Sequence, residues 1–168
     1  TFRVINKGLT PRQAIEEVAA ESKNPFIKEK VKQALDKVAE ATDPTTDLYK
    51  ERFVDDKALT SMARLWDVGK TEPIKVGKAS PTEGTLPGAI YFIVKYNDLA
   101  AAASANAEVG GDNASRSIPI GMVLGAYQGV EGVPASLGKG ALVEWEHTEA
   151  LLDKLPLIKA AHAGKNDL

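Results

Sequence analysis

Apolar residues recur at three- and four-residue spacing along most of the chain, which predicts helices almost from end to end. In "LTPRQAIEEVAAES", Thr10 is placed as N-cap, Pro11 takes the first helical position and Gln13 completes a capping box. Ile15, Val18 and Ala19 then share a face. "NPFIKEKVKQALDKVAEATD" repeats the signal from Asn24 and Pro25, with Ile27, Val31, Leu35 and Val38 on one side and lysines and acids on the other. A third helical stretch is expected from Asp43-Pro44, with a stripe of Leu59, Met62, Ala63 and Trp66 and a C-cap at Gly69. Residues 69–83 lose the period and read as loop. "TLPGAIYFIVKY" then predicts a helix begun by Pro87 and apolar on every side over 89–94, and Asp98 caps the alanine-rich "LAAAASANAEV". After the glycines at 110 and 111, residues 118–127 read as a second helix buried on all faces. Gly121 and Gly125, four apart on it, suit close helix packing. A short helix is expected near 148–155, then a frayed tail. No strand-period segment longer than a few residues is found, so the fold class is all-α.

Composition narrows the function classes more than it names one. The 168 residues are 43% hydrophobic and 26% charged, the material of one folded domain. A net charge of −2 gives no argument for nucleic acid or an anionic membrane. Cysteine is absent, which removes disulfides, zinc–thiolate sites and thiol nucleophiles. The longest uncharged apolar run, 118–130, falls short of the ~20 residues of a spanning helix. A soluble protein is expected, with its compartment open. The opening "TFRVINKGLT" has no initiator Met, which is compatible with processing or truncation.

Few residues suggest chemistry by themselves. His147 and His162 lack any Ser or Asp motif around them and read as surface residues. Asp55-Asp56 reads as helix capping, screened by Arg52 and Lys57. Trp66 and Trp145 read as packing. The loop at 76–84 and the turn in "VGGDNASRSIPIGMVLGAYQGVEGVP" each lead into one of the two apolar helices. Adjacent glycines suit backbone angles or close approaches that a side chain forbids. Asp112 or Asn113 is placed to cap the following helix, or the carboxylate and backbone hold a metal or anion at a helix N-terminus. The residues alone leave both readings open.

Four pieces in order carry a resemblance: Leu86-Pro87-Gly88-Ala89-Ile90-Tyr91, Gly110-Gly111-Asp112, Gly125-Ala126-Tyr127-Gln128-Gly129 and Val133-Pro134. Together they resemble the C-terminal half of the ADP-ribosylglycohydrolase family, whose relatives include J1 crystallins and selenoprotein J. The motif region is 77–134, and residues 10–69 match by helical character alone. The resemblance implies an all-α fold with a cleft in which two magnesium ions orient ADP-ribose. It makes Asp112 a metal ligand, the first carboxylate of the family's "GGDTDT". Ser115 stands for the last threonine and keeps a hydroxyl for metal. Asn113 replaces the first threonine, and Ala114 stands where the family has its second carboxylate. Gly110, Gly111, Asn113, Arg116 and Ser80 (in loop 79–82) are the ligand-binding candidates, Arg116 suiting phosphate.

Nothing in residues 1–75 reproduces the family's other metal ligands or its acidic catalytic residue. The chain is therefore expected to be one domain or half-domain, the C-terminal portion of such a fold. The implied function is metal-assisted hydrolysis of the glycosidic bond of an ADP-ribosylated substrate. The alternative is a catalytically inactive relative, crystallin-like or a binding subunit. Three expectations follow. Segments 89–94 and 118–127 should be the most buried helices. With Ala114 in place, this chain alone should not hold magnesium tightly. An apolar remainder including Ile120, Leu124 or Tyr127 should lie in water, for the N-terminal half or another chain to cover.

Overall fold

Cap chemistry divides the chain into its helices. The computed structural model describes residues 1–62, 64–65, 74–75, 78, 80–137 and 145–156. They contain α1 (Phe2–Lys7), α2 (Pro11–Glu21), α3 (Pro25–Thr42), α4 (Val54–Met62), α5 (Thr82–Tyr96), α6 (Leu99–Val109), α7 (Asn113–Gly132) and α8 (Trp145–Leu152). The chain forms two compact units, Thr1–Gly132 and Val133–Leu168. In the second unit, α8 begins and ends three residues before the expected 148–155, and His147 on it is exposed. His162, Trp66, Ala63 and Gly69 lie outside the described residues. No described helix is long and apolar enough to cross a membrane.

Where a side chain closes the helix N-terminus, sequence and structure agree. Thr10 accepts from the Gln13 N–H at 3.3 Å, and the Gln13 side chain returns to the Thr10 N–H at 3.0 Å. Asn24 accepts from the Phe26 N–H at 3.0 Å and Asp98 from the Ala101 N–H at 2.8 Å. Asp43 does not begin a helix. Its carboxylate takes the N–H and hydroxyl of Thr45 at 2.8 and 2.7 Å, while its own N–H bonds back to Ala39, so it ends α3 in a tight turn. The next helix starts only at Val54. Likewise α5 begins about one turn before Pro87, because the Pro81 carbonyl accepts the N–H groups of Gly84 and Thr85. Pro87 then sits buried inside the helix. A two-residue antiparallel ladder (β1, Arg64–Leu65; β2, Ile74–Lys75) interrupts the expected loop, with Arg64 opposite Lys75. Among the described residues it is the one departure from an all-helical chain.

The core of the first unit is built around α5, which packs against α2, α3, α4, α6 and α7. Everything from Pro87 to Ile93 is buried, as the uniform apolar pattern requires. Tyr91 and Phe92 are fully enclosed, their rings 5.5 Å apart at 78°. Burying Phe92 contributes about 3 kcal/mol before entropy is counted. Ala34 of α3, Leu59 and Met62 of α4, Ala102 of α6 and Leu124 of α7 fill the remaining faces. Helix α7 corrects the second burial expectation. Only Arg116, Ile120 and Leu124 of α7 are buried, while Ile118 is 66% and Met122 57% exposed. Ile120 and Leu124, expected in water, point into the core, and Tyr127 is the one of the three left outside. A Cβ at Gly121 or Gly125 would meet nothing within 4 Å, so neither glycine marks a close helix contact within the described residues.

Candidate functional site

Two consecutive left-handed glycines turn the chain from α6 into α7. Gly110 has φ 70° and ψ −153°, and Gly111 has φ 69°. The first pair of angles is open essentially to glycine alone. Gly111 meets a second constraint, because a Cβ there would lie 2.3 Å from the Lys78 Cβ. The Lys78 carbonyl accepts the Asp112 N–H at 2.7 Å, and its Nζ donates to the Val109 carbonyl at 2.8 Å and pairs with Asp56 at 2.7 Å. The loop before α5 is thus tied to the glycine turn by one residue, reaching both the last residue of α6 and the first after the glycines.

Asp112 is the N-cap of α7. Its Oδ1 accepts the Ser115 N–H at 3.1 Å. The Ser115 hydroxyl, that N–H, the Ser80 hydroxyl and then the charge of Arg116 hold its carboxyl below the usual carboxylate range. The structure therefore brings Ser80, Gly110, Gly111, Asp112, Asn113 and Ser115 together. Gly111, Ala114, Ser115 and Ser80 are exposed, while Gly110, Asp112 and Asn113 are half-buried. The capping role and a ligand-facing role are compatible, since capping occupies one oxygen of a carboxylate that stays in contact with solvent.

Arg116, expected beside the site and facing a phosphate, is turned inward and 1% exposed. Its Nε donates to Asn106 Oδ1 and its Nη2 to the Gly110 carbonyl, both at 2.6 Å. Asn106, also 1% exposed, donates to the Asn113 carbonyl at 2.9 Å and to Ser117 Oγ at 3.0 Å. The pair therefore grips the turn from below at both ends. Gly88 makes room for it, since a Cβ there would come to 3.0 Å from Arg116 Cδ. Asn106 carries a readable signal, a polar residue on the face of α6 that also holds Leu99, Ala102 and Val109.

Asp55 and Asp56 do lie in the first turn of α4, where negative charge suits the helix dipole. Their partners differ from those expected. Asp55 accepts from the Tyr91 hydroxyl at 2.6 Å and the Tyr96 hydroxyl at 2.5 Å, and pairs with Lys95. Burial first, then these bonds, push both phenols well above the usual tyrosine range. Lys57 pairs instead with Glu51, and Arg52 stacks over Phe53. Arg52, Phe53, Asp55, Asp56, Glu108 and Val109 line a cavity of about 160 Å³ on the α6 side of the turn.

The donor set does not fit a magnesium pair. A hard cation needs several carboxylate, carbonyl or water oxygens. Here one carboxylate is partly committed to capping and Ala114 offers a methyl group. Among the described residues, no three of His, Cys, Asp and Glu gather as metal ligands do.

No curated protein and no solved structure matches the chain. The sequence profile described as ADP-ribosylglycohydrolase matches residues 2–165, well beyond the 77–134 that the motifs mark. With the all-helical architecture and the glycine–aspartate turn in place, the chain belongs to the ADP-ribosylglycohydrolase family.

Proposed function

We propose that the glycine turn, with Ser80, forms the wall of a pocket for an ADP-ribose-type ligand, and that the protein serves hydrolysis of a glycosidic bond to such a ligand. The observation that carries this reading is the convergence of Ser80, Asp112 and Ser115 at the N-terminus of α7. A carboxylate held ionised accepts hydrogen bonds from ribose hydroxyls, and a helix N-terminus favours an anionic group such as a diphosphate. At Gly110 a Cβ would meet nothing within 4 Å, so its bare backbone lets a ligand approach closely, whereas the same face of Gly111 is filled by Lys78. Hydrolysis also needs a general acid or base and any metal-holding carboxylates, and these would come from groups beyond this turn. A covering partner belongs to the same reading, and the exposed Ile118 and Met122 on α7 support it.

A second reading, a relative that binds without catalysis or serves a structural role, is favoured by Ala114 where the family has its second carboxylate. One experiment separates them. Titrating the purified protein with ADP-ribose by calorimetry, and incubating it with an ADP-ribosylated peptide with and without magnesium, reads binding and turnover independently. Binding that is lost in Asp112→Ala, with ADP-ribose released from the peptide, supports the hydrolase reading. Binding without release supports the second. Absence of binding overturns both ligand readings.

A further inference from the structure

The cation beneath the turn is built in. Arg116 is 1% exposed, and its hydrogen bonds among the described residues go to neutral oxygens, those of Asn106 and Gly110. Burying a guanidinium against neutral acceptors is costly, so its position needs a compensating reason. Asn106 is committed to the same place, spending both donors of its amide on the Asn113 carbonyl and Ser117 Oγ. Between them the two side chains hold the carbonyls on either side of Gly111 and Asp112. Asp112, two residues from Ala114, is the carboxylate whose charge acts on Arg116.

We propose that Asn106 and Arg116 are a positioning pair that sets the Gly110–Asp112 turn for its ligand and supplies from within the protein the positive charge that a bound divalent cation would otherwise bring. The inference rests on the ligand reading above and adds that binding at this turn is independent of divalent cation. Ala114 offers a cation no ligand, and Arg116 two residues on brings a buried positive charge, so the turn carries its own charge. Arg116 acts through the turn and touches no ligand itself. Lysine cannot replace it, because one ammonium lacks the planar fork that reaches Asn106 and Gly110 together.

The test is ADP-ribose titration of the full chain in EDTA and in magnesium, on wild type, Arg116→Lys, Asn106→Ala, Ser117→Ala and the double variant Ala114→Asp/Arg116→Gln. Wild type should bind equally in both buffers. Arg116→Lys and Asn106→Ala should bind at least about tenfold more weakly with helical content retained, and Ser117→Ala within about twofold of wild type. The double variant should bind more tightly in magnesium than in EDTA, a change that a merely structural role would not produce. Wild-type affinity that rises with magnesium, Arg116→Lys binding like wild type, or a double variant indifferent to magnesium overturns the proposal. Amide exchange at Gly110–Asp112 is read in parallel. If wild type binds no ADP-ribose, the ligand reading fails, and exchange judges the pair alone. Faster exchange in Arg116→Lys and Asn106→Ala, but not in Ser117→Ala, then upholds the positioning role, and unchanged exchange in the first two overturns it. The wild-type comparison in EDTA and in magnesium keeps the test open should a buried substitution fail to fold.

Discussion

A Cβ placed on Gly111 would lie 2.4 Å from the carbonyl oxygen of Lys78, the oxygen that accepts the Asp112 N–H. The loop before α5 and the turn before α7 therefore touch backbone to backbone, and only glycine fits between them. Gly111→Ala must either push residue 78 away or open the turn. It carries both a left-handed backbone and a steric clash, and is expected to cost about 3 kcal/mol or more. Gly110→Ala meets nothing within 4 Å. It bears backbone strain alone, about 1–3 kcal/mol. Urea denaturation followed by circular dichroism checks the order; Gly110→Ala proving the worse would mean that the clash relaxes at little cost.

Asp55 is the hub of a second cross-helix contact. Its carboxylate holds two phenols and an ammonium from α5, and its side chain is 14% exposed. Asp55→Ala strands three polar groups at once and is expected to cost about 3–5 kcal/mol. Tyr91→Phe removes one donor from a carboxylate that keeps two, at about 1 kcal/mol. Thermal unfolding of the two variants measures the difference, and equal losses would show that Asp55 acts through Tyr91 alone.

The parts of the fold legible from sequence are those written in short-range chemistry. The capping box at Thr10, the caps at Asn24 and Asp98 and the buried run of α5 each depend on residues within one or two turns. Asp43 misleads because the same side chain that caps a helix also closes a turn, and Thr45 beside it decides for the turn. α7 misleads because glycine and alanine count as apolar without needing burial, so the period along it is faint. At the site, the pairing of the two loops was readable from their positions before apolar helices. The inward turn of Arg116 was not, since it depends on Asn106 ten residues earlier and on the space left by Gly88.

Acid should release α1. Arg3 pairs with Glu17 and Glu21, and Lys7 with Glu17, while Val4 is the one residue of α1 buried beneath. Hydrogen bonds from Lys7 and Arg3 hold Glu17 below its usual range, and those from Arg3 do the same for Glu21. Because both are depressed in the folded state, their contribution is present above the usual glutamate range. It fades as pH falls below that range, through the lowered values. Backbone chemical shifts of residues 2–7 should keep helical values at pH 6 and lose them progressively as pH falls below the usual glutamate range. In Arg3→Ala they should be less helical already at pH 6. A helix unchanged across that range would show that Val4 and the contact with α7 hold it without the ion pairs.

The two isoleucines that flank Pro119 give the sharpest test of how α7 lies. Ile118 is 66% exposed and Ile120 1%, although the sequence treats them alike. Ile120 faces the core side of α7, and truncation there removes buried methyl groups and leaves a cavity that close packing cannot fill. Ile120→Ala should therefore cost about 2–4 kcal/mol. Ile118→Ser removes apolar surface that the described fold leaves in water, so its cost should stay within about 0.5 kcal/mol. Chemical denaturation of the purified chain at two protein concentrations checks both values. A large loss in Ile118→Ser that grows with protein concentration would mean that a second polypeptide covers this face in solution. A large loss independent of concentration would mean that a segment of the same chain does.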